Sequence, residues 1–170
     1  MRIHWLLIAI SLGFPAIPVQ AADWSPQLAA QYLDSRQQAW FEWPPANTGG
    51  APCLSCHTGL TYLLARPRLR QILGEKQPTR YETGLISAIQ SRLAAKEDAK
   101  PNGHAQGVDA VLSALVLTRA DESTGALAPR TLQALDRLWK LQETSGDRRG
   151  AWAWFELKLD PYETTHSPFF

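Results

Sequence analysis

The sequence is poor in the residues that usually build structural metal sites and disulfide frameworks. Cysteine occurs only at Cys53 and Cys56, and methionine only at Met1. A structural zinc site needs a second Cys or His pair at ligand spacing, and His104 and His166 are isolated from each other. A disulfide across a two-residue spacer is strained and closes almost no loop. Both kinds of scaffold are therefore disfavoured.

The sequence also lacks an excess of charge of either sign. It holds 17 Lys and Arg residues against 16 Asp and Glu residues, without a basic stripe. Nucleic acid is therefore excluded as a partner. No convincing run that alternates between apolar and polar residues is found either. We therefore predict an all-α fold of antiparallel helix pairs.

The two cysteines belong to one motif, Cys53-Leu54-Ser55-Cys56-His57, which we call the CxxCH motif. This spacing is typical of covalent haem attachment. The two thiols can add across the two vinyl groups of a haem, and Nε2 of His57 can bind the iron as proximal ligand. A thioredoxin-like redox pair is the alternative, but it should follow a β-strand, and residues 44–52 are rich in Pro, Gly and Asn. We therefore predict one covalent haem c on Cys53, Cys56 and His57.

The second axial ligand of the iron cannot be a methionine of the mature chain, because Met1 would leave with the signal peptide. The candidates are His104 and His166, a weaker ligand such as lysine or water, or a residue of another protein. Ligation by two histidines would give a lower reduction potential than ligation by histidine and methionine.

The N-terminus is typical of an exported protein. Arg2 supplies a positive charge, residues 5–14 form an uncharged apolar run, and Val19-Gln20-Ala21 is a suitable cleavage site. The run is shorter than the roughly twenty residues that cross a bilayer. We predict a signal peptide over residues 1–21 and a periplasmic mature domain over residues 22–170. Retention of the peptide as a membrane anchor is the alternative.

Helical periodicity divides the mature domain into five segments. These run from Ser25-Pro26 to before Pro44, from Leu60 to Ile72 with a bend or restart at Pro67, from Glu82 to Lys96, from Val108 onward, and from Pro129 onward. Residues 44–57, between the first two helices, are predicted to form the haem-attachment loop. Residues 96–107, which include His104, form a second predicted loop.

Two groups of side chains have alternative roles. Three aromatic residues before the motif either pack on the porphyrin or belong to the protein core: Trp40, Phe41 and Trp43. Three arginines after it either pair with haem propionates or form a solvated face: Arg66, Arg68 and Arg70. On the first helix, the pattern places Leu28 and Tyr32 towards the core, and Arg36, Gln37 and Gln38 towards water. On the third and fifth helices, the apolar residues recur at helical spacing: Leu85, Ile86, Ile89 and Leu93, and then Leu132, Leu135, Leu138, Trp139 and Leu141.

The C-terminal segment 129–170 contains a Gln–Trp element. The helix that ends at Gln142 is followed by a glycine-containing turn and Trp152. This arrangement resembles the Gln–Trp repeat of the squalene-hopene cyclase and protein prenyltransferase superfamily. The whole mature chain resembles exported bacterial proteins that join a CxxCH motif to a squalene-cyclase-like α/α-toroid.

The resemblance implies a partial α/α-toroid, because a full toroid has several more helix pairs than this chain. A second copy or a partner chain would then complete it. An Asp-x-Asp-Asp motif for cyclase chemistry is absent, and both cysteines are assigned to haem rather than to prenyltransferase zinc. The resemblance therefore concerns the fold and not the reaction.

These features together predict a periplasmic c-type haem protein that exchanges single electrons with a redox partner protein. Two alternatives stay open. One is a haem sensor or small enzyme with an open iron site, which the missing methionine suggests. The other is a toroid-type module that binds an apolar ligand or a protein and uses haem structurally.

Overall fold

The computed structural model describes residues 24–47, 52–95, 105–153 and 166–167. In these ranges the secondary structure is almost entirely helical, which confirms the prediction of an all-α protein. The helices are α1 (Pro26–Glu42), α2 (Leu60–Ile72), α3 (Arg80–Ala95), α4 (Ala105–Asp121) and α5 (Pro129–Lys140). A 3₁₀ turn (Pro44–Ala46) and a π turn (Ser55–Gly59) lie between α1 and α2. Two short strands, β1 (Trp152–Ala153) and β2 (His166–Ser167), pair antiparallel.

Local chemistry fixes where the helices begin. The Ser25 hydroxyl accepts a hydrogen bond from the Leu28 N–H at 3.2 Å, and Pro26 occupies the first helical position of α1, as predicted. At the start of α3, the Glu82 carboxylate accepts from the Thr79 N–H at 2.6 Å, and the Thr79 hydroxyl accepts from the Glu82 N–H at 3.1 Å. This reciprocal pair is a capping box, which satisfies two N–H groups that the helix itself leaves unpaired.

Ion pairs show that neighbouring helices run antiparallel. Trp40, towards the end of α1, donates to the Cys53 carbonyl before α2, whereas Asp34, earlier on α1, pairs with Arg66, later on α2, at 3.0 Å. Asp109 near the start of α4 pairs with Arg137 near the end of α5 at 2.8 Å. The opposite ends of α4 and α5 meet where the Asp121 carboxylate accepts from the Ala128 N–H at 2.7 Å.

Helix α4 lies at the centre of the described bundle, because its residues are buried on nearly every side. Val108, Leu112, Val116 and Leu117 all belong to the main apolar cluster. Helix α3 contributes the predicted stripe to the same cluster, with Leu85, Ile89 and Leu93 fully or almost fully buried. The first turn of α4 packs closely on β1, since a Cβ at position 107 would collide with the carbonyl oxygen of Ala153.

The burial of α1 and α5 corrects the predicted faces. Gln37, which the pattern placed in water, is completely buried, whereas Leu28 and Tyr32 are exposed. The core face of α1 consists of Ala30, Leu33, Gln37 and Phe41, which follow each other at three- or four-residue spacing. On α5, the small residues Thr131 and Ala134 are buried, and Leu132 and Trp139 face outward.

The connections also differ from the predicted loops. Helix α4 begins at Ala105, so the end of the predicted loop 96–107 is helical. Ser55, Cys56 and His57, at the end of the predicted loop 44–57, lie in the π turn that leads directly into α2. Helix α2 continues through Pro67 without restarting. None of the helices in the described ranges has both the length and the apolar character that a membrane-crossing segment requires.

Candidate haem-attachment site

The CxxCH motif lies where the chain turns from the loop after α1 into α2. Ser55, within the motif, has a φ of 52°, which is a left-handed conformation rare for residues other than glycine. The next residues form the π turn Ser55–Gly59. Left-handed backbone and π turns both cost conformational energy, and both are concentrated at functional sites.

Leu54 anchors this strained turn to the protein core. Its side chain is 6% exposed and packs in the main apolar cluster. A Cβ at Gly59 would collide with the Leu54 carbonyl oxygen, so only glycine permits this close contact. The sequence analysis did not identify Leu54 or Gly59 as part of the site. The available signals were an apolar residue between the two cysteines and a glycine two residues after His57.

The backbone around Cys53 is held on both sides. The Cys53 N–H donates to the Ala46 carbonyl at 2.8 Å, and the Cys53 carbonyl accepts from the Trp40 indole N–H at 2.8 Å. One residue earlier, the Pro52 carbonyl accepts from the Arg92 guanidinium at 3.2 Å. The Cys53 thiol itself is free and exposed. For Cys56 the structure describes the backbone, which lies in the π turn.

The His57 side chain is exposed, and only its backbone is fixed. The His57 N–H donates to the Ser55 hydroxyl at 3.3 Å, and its carbonyl accepts from the Thr61 hydroxyl at 3.1 Å. Within the described part of the chain, the imidazole has no hydrogen-bond partner. Both ring nitrogens are therefore available to a ligand without breaking an existing contact.

The three aromatic residues before the motif have separate roles. Phe41 is a core residue, with its ring edge-on to Tyr81 at a centroid distance of 5.3 Å. Trp40 binds the motif backbone through the indole N–H. Trp43, whose side chain is half exposed, lies beside Trp40 at 5.3 Å between ring centroids. The Trp40–Trp43 pair thus provides partly exposed apolar surface on the segment that binds the Cys53 backbone, and Phe41 does not.

The three arginines after the motif also differ in their burial and in their partners. Arg66 is buried and donates to Asp34 at 3.0 and 3.2 Å and to Glu75 at 2.8 and 3.1 Å. Its guanidinium is therefore neither part of a solvated face nor available to a haem propionate. Burial lowers the pKa of Arg66, but the hydrogen bonds with Glu75 and Asp34 outweigh it, and the net pKa is raised. Arg70 pairs with Glu82 at 3.3 Å. Arg68 is exposed and donates to the Gln71 side chain at 3.0 Å.

Contacts of strand β1 and of the Arg92 side chain place the strand that contains residue 166 at the same end of the bundle as the motif. Residue 166 pairs with Ala153 in β1, which packs on the first turn of α4 at Gly107. Arg92 in α3 contacts both the Pro52 carbonyl, at 3.2 Å, and the Asp109 carboxylate in the second turn of α4, at 4.0 Å. His104 lies outside the described residues and immediately precedes α4 in sequence. For His166 the structure describes the backbone alone.

The Gln–Trp element is held by two hydrogen bonds from side chains to backbone carbonyls. The Gln142 side-chain amide donates to the Gly150 carbonyl at 3.0 Å, and the Trp152 indole donates to the Leu138 carbonyl at 2.8 Å. The Trp152 ring lies 6.0 Å from that of Trp139. The amide and the indole therefore satisfy carbonyl groups of the turn and of the helix end, where intrahelical partners are missing.

Comparisons with protein-family models, with curated proteins and with solved structures find no match for this chain. The likeness to toroid proteins therefore remains a prediction from the sequence. Among the described residues, there is no group of three or more His, Cys, Asp or Glu side chains that could hold a metal ion.

The arrangement brings two reactive side chains together on one turn. This core-anchored, strained turn presents an exposed thiol at Cys53 and an exposed imidazole at His57, and Trp40, which packs beside Trp43, binds the Cys53 backbone carbonyl. The charged side chains nearest in sequence, on α2, are largely paired with each other or with α1 and α3. The site can thus form covalent bonds through sulfur and offer one imidazole nitrogen as a ligand.

Proposed function

We propose that this chain is a periplasmic c-type haem protein that transfers single electrons. The observation that carries the proposal is the CxxCH motif on a rigid turn, with the Cys53 thiol and the His57 imidazole exposed and unpaired in the described structure. Cys53 and Cys56 would form thioethers with the two vinyl groups, and His57 would be the proximal iron ligand. When bound, the haem supplies a one-electron ferric/ferrous couple.

The protein's own contribution is to fix the attachment geometry. Leu54 and Gly59 hold the turn on the core, and the bonds from Trp40 and to Ala46 fix the backbone of Cys53. The thiol and the imidazole are therefore presented without a large loss of conformational freedom on attachment. The exposed face of Trp43 supplies apolar surface on which a porphyrin can pack.

For the second axial position we propose a histidine, either His104 or His166, because Met1 is the only methionine. The position of strand β2 at the end of the bundle that carries the motif supports His166. Bis-histidine ligation favours ferric iron, so the reduction potential should be low for a c-type protein.

We further propose that the helical scaffold is a partial squalene-cyclase-like α/α-toroid. The Gln142 and Trp152 contacts at the end of α5 support it, as does the antiparallel order of the helix pairs. A haem-bearing scaffold of this kind could also act as a binding module, and reduction of the haem by a periplasmic donor distinguishes electron transfer from that alternative.

The deciding experiment is expression in a bacterial periplasm together with a cytochrome c maturation system. We expect a mature chain that begins at Ala22, stains for haem after denaturation, and has a low-spin spectrum that carbon monoxide leaves unchanged. The Cys53→Ala/Cys56→Ala variant should lose the haem stain, and the neighbouring Thr58→Ala variant should keep it. A wild-type protein that stays colourless would refute the haem assignment, and a CO-reactive spectrum would instead favour the sensor or enzyme.

A further inference from the structure

A cleft of about 660 Å³ lies between α2, α3 and the end of α4. Its volume falls within the range of roughly 300–1,000 Å³ that is usual for small-molecule sites. Cys53 and His57 do not belong to its lining, which begins one to two turns further along α2. The cleft is therefore separate from the candidate haem-attachment site.

One wall of the cleft is apolar. Leu63 and Leu64 of α2, Ile86 of α3 and Val116 of α4 line it, and Pro67 extends the same surface. Leu64 is 38% exposed and Ile86 is partly exposed, so these two side chains are open to a ligand, while Leu63 and Val116 belong to the core behind them. Burial of an alkyl chain on such a surface is favourable, because it removes apolar area from water.

Of the three arginines that line the cleft, two form ion pairs with a carboxylate and one does not. Arg70 pairs with Glu82, whose other oxygen caps the start of α3, and Arg119 pairs with Glu122. Arg68 has no carboxylate partner within the described ranges, and its one side-chain contact is with Gln71. Among the described residues that line the cleft, Arg68 is thus the exposed guanidinium without a carboxylate partner, and it lies beside an apolar wall.

We propose that the cleft binds a long-chain carboxylic acid, with its alkyl chain on the apolar wall and its carboxylate on Arg68. The planar guanidinium matches a carboxylate with two parallel hydrogen bonds. A phosphate dianion is a poorer match, because the neighbouring arginines are already neutralised by Glu82 and Glu122. This site does not depend on the proposed haem.

Binding of dodecanoate to the full chain, measured by isothermal titration calorimetry, tests the proposal. We expect saturable binding with one ligand per chain, in both haem-free and haem-loaded protein. Arg68→Gln should weaken dodecanoate binding at least 10-fold, because hydrogen bonds to charged groups are among the stronger ones. The matched control Arg36→Gln, exposed on α1, should bind like wild type. Leu64→Asp should also weaken binding, and it should fold normally because position 64 is partly exposed.

Dodecanol, which has the same chain length without the charge, separates the two parts of the site. It should bind wild type and Arg68→Gln with equal affinity. Absence of saturable dodecanoate binding, or equal binding by wild type and Arg68→Gln, would overturn the proposal. Binding by the haem-free protein that disappears in the haem-loaded protein would overturn it too, because the haem with its propionates would then occupy the cleft. A colourless protein that still binds dodecanoate through Arg68 would leave this site standing and refute only the haem assignment.

Discussion

Replacement of Arg66 by methionine tests how the helices that carry the CxxCH motif are held together. The Arg66 side chain is 4% exposed and joins α1, α2 and the segment after α2 through the carboxylates of Asp34 and Glu75. Tyr62 donates to the same Asp34 carboxylate at 2.7 Å. Methionine preserves the unbranched shape of the side chain, so the change removes mainly charge and hydrogen bonds.

The expected loss follows from the burial of the three groups. Removal of one partner from a buried ion pair costs about 3–5 kcal/mol, chiefly because the remaining charge is left unpaired. The Asp34 and Glu75 side chains are 32% and 37% exposed, so water can partly solvate them in the variant. We therefore expect a loss at the lower end, about 3 kcal/mol. With a urea dependence of about 2 kcal/mol per M, the unfolding midpoint should fall by about 1.5 M.

The assay is equilibrium urea unfolding followed by far-UV circular dichroism. The control Arg36→Met removes an exposed arginine from α1 and should change the free energy of unfolding by less than about 0.5 kcal/mol. The triple variant Asp34→Asn/Arg66→Met/Glu75→Gln should recover part of the loss, because no carboxylate is left unpaired. If Arg66→Met and the Arg36 control have the same midpoint, the buried network does not hold these helices together.

Three further predictions concern single buried positions. Burial raises the pKa of the Tyr62 phenol above its ordinary value of about 10. The phenol of the unfolded chain therefore ionises first, and wild type should lose stability as the pH rises above about 10. Denaturant midpoints across this pH range should show that loss in the control Tyr32→Phe and a smaller loss in Tyr62→Phe. The Gln37 amide is buried with no hydrogen-bond partner among the described residues, so Gln37→Leu should raise the free energy of unfolding by about 1–2 kcal/mol in urea titrations, and a decrease would contradict this. Gly59→Ala should lower the thermal midpoint, because its methyl group would collide with the backbone of the motif, whereas Gly84→Ala would meet only the Phe41 side chain and should be tolerated better.

Most of the helical framework was predictable because it depends on local chemistry. Ser25 and Pro26 define the start of α1 by capping and by the fixed φ of proline, and at the start of α5 Pro129 acts through its fixed φ alone. The apolar spacing from Leu85 to Leu93 predicted the buried face of α3. Each of these signals lies within one or two helical turns.

The errors arose where packing between distant segments decides the outcome. Gln37 is buried because it lies on the face of α1 that Leu33 and Phe41 turn towards the core, and polarity alone gave the opposite prediction. Arg66 is buried because its two carboxylate partners lie 32 and 9 residues away in the chain. Pairings of this length leave no periodic signal in a single sequence.

For the candidate site, the reactive side chains could be identified from the sequence, whereas the contacts that hold them could be identified only from the structure. Cys53, Cys56 and His57 could be selected from their spacing alone, because haem attachment requires only five consecutive residues. The contributions of Leu54 and Gly59 could not, since they depend on a turn that packs against the core. The structural role of a buried residue such as Leu54 can be recognised only when the residues that it contacts are known.

The same packing links the motif to the stability of the helices. Trp40 in α1 holds the Cys53 carbonyl, and Asp34, about two turns earlier on that helix, holds Arg66 in α2. The motif is thus fixed between two helices whose relative position depends on the buried ion pairs. Loss of the Arg66 contacts should therefore loosen the turn as well as the helix pair, and it should do so without altering any residue of the CxxCH motif. A scaffold that bears the motif at such a junction can keep the thiol and the imidazole in place only while α1 and α2 stay packed.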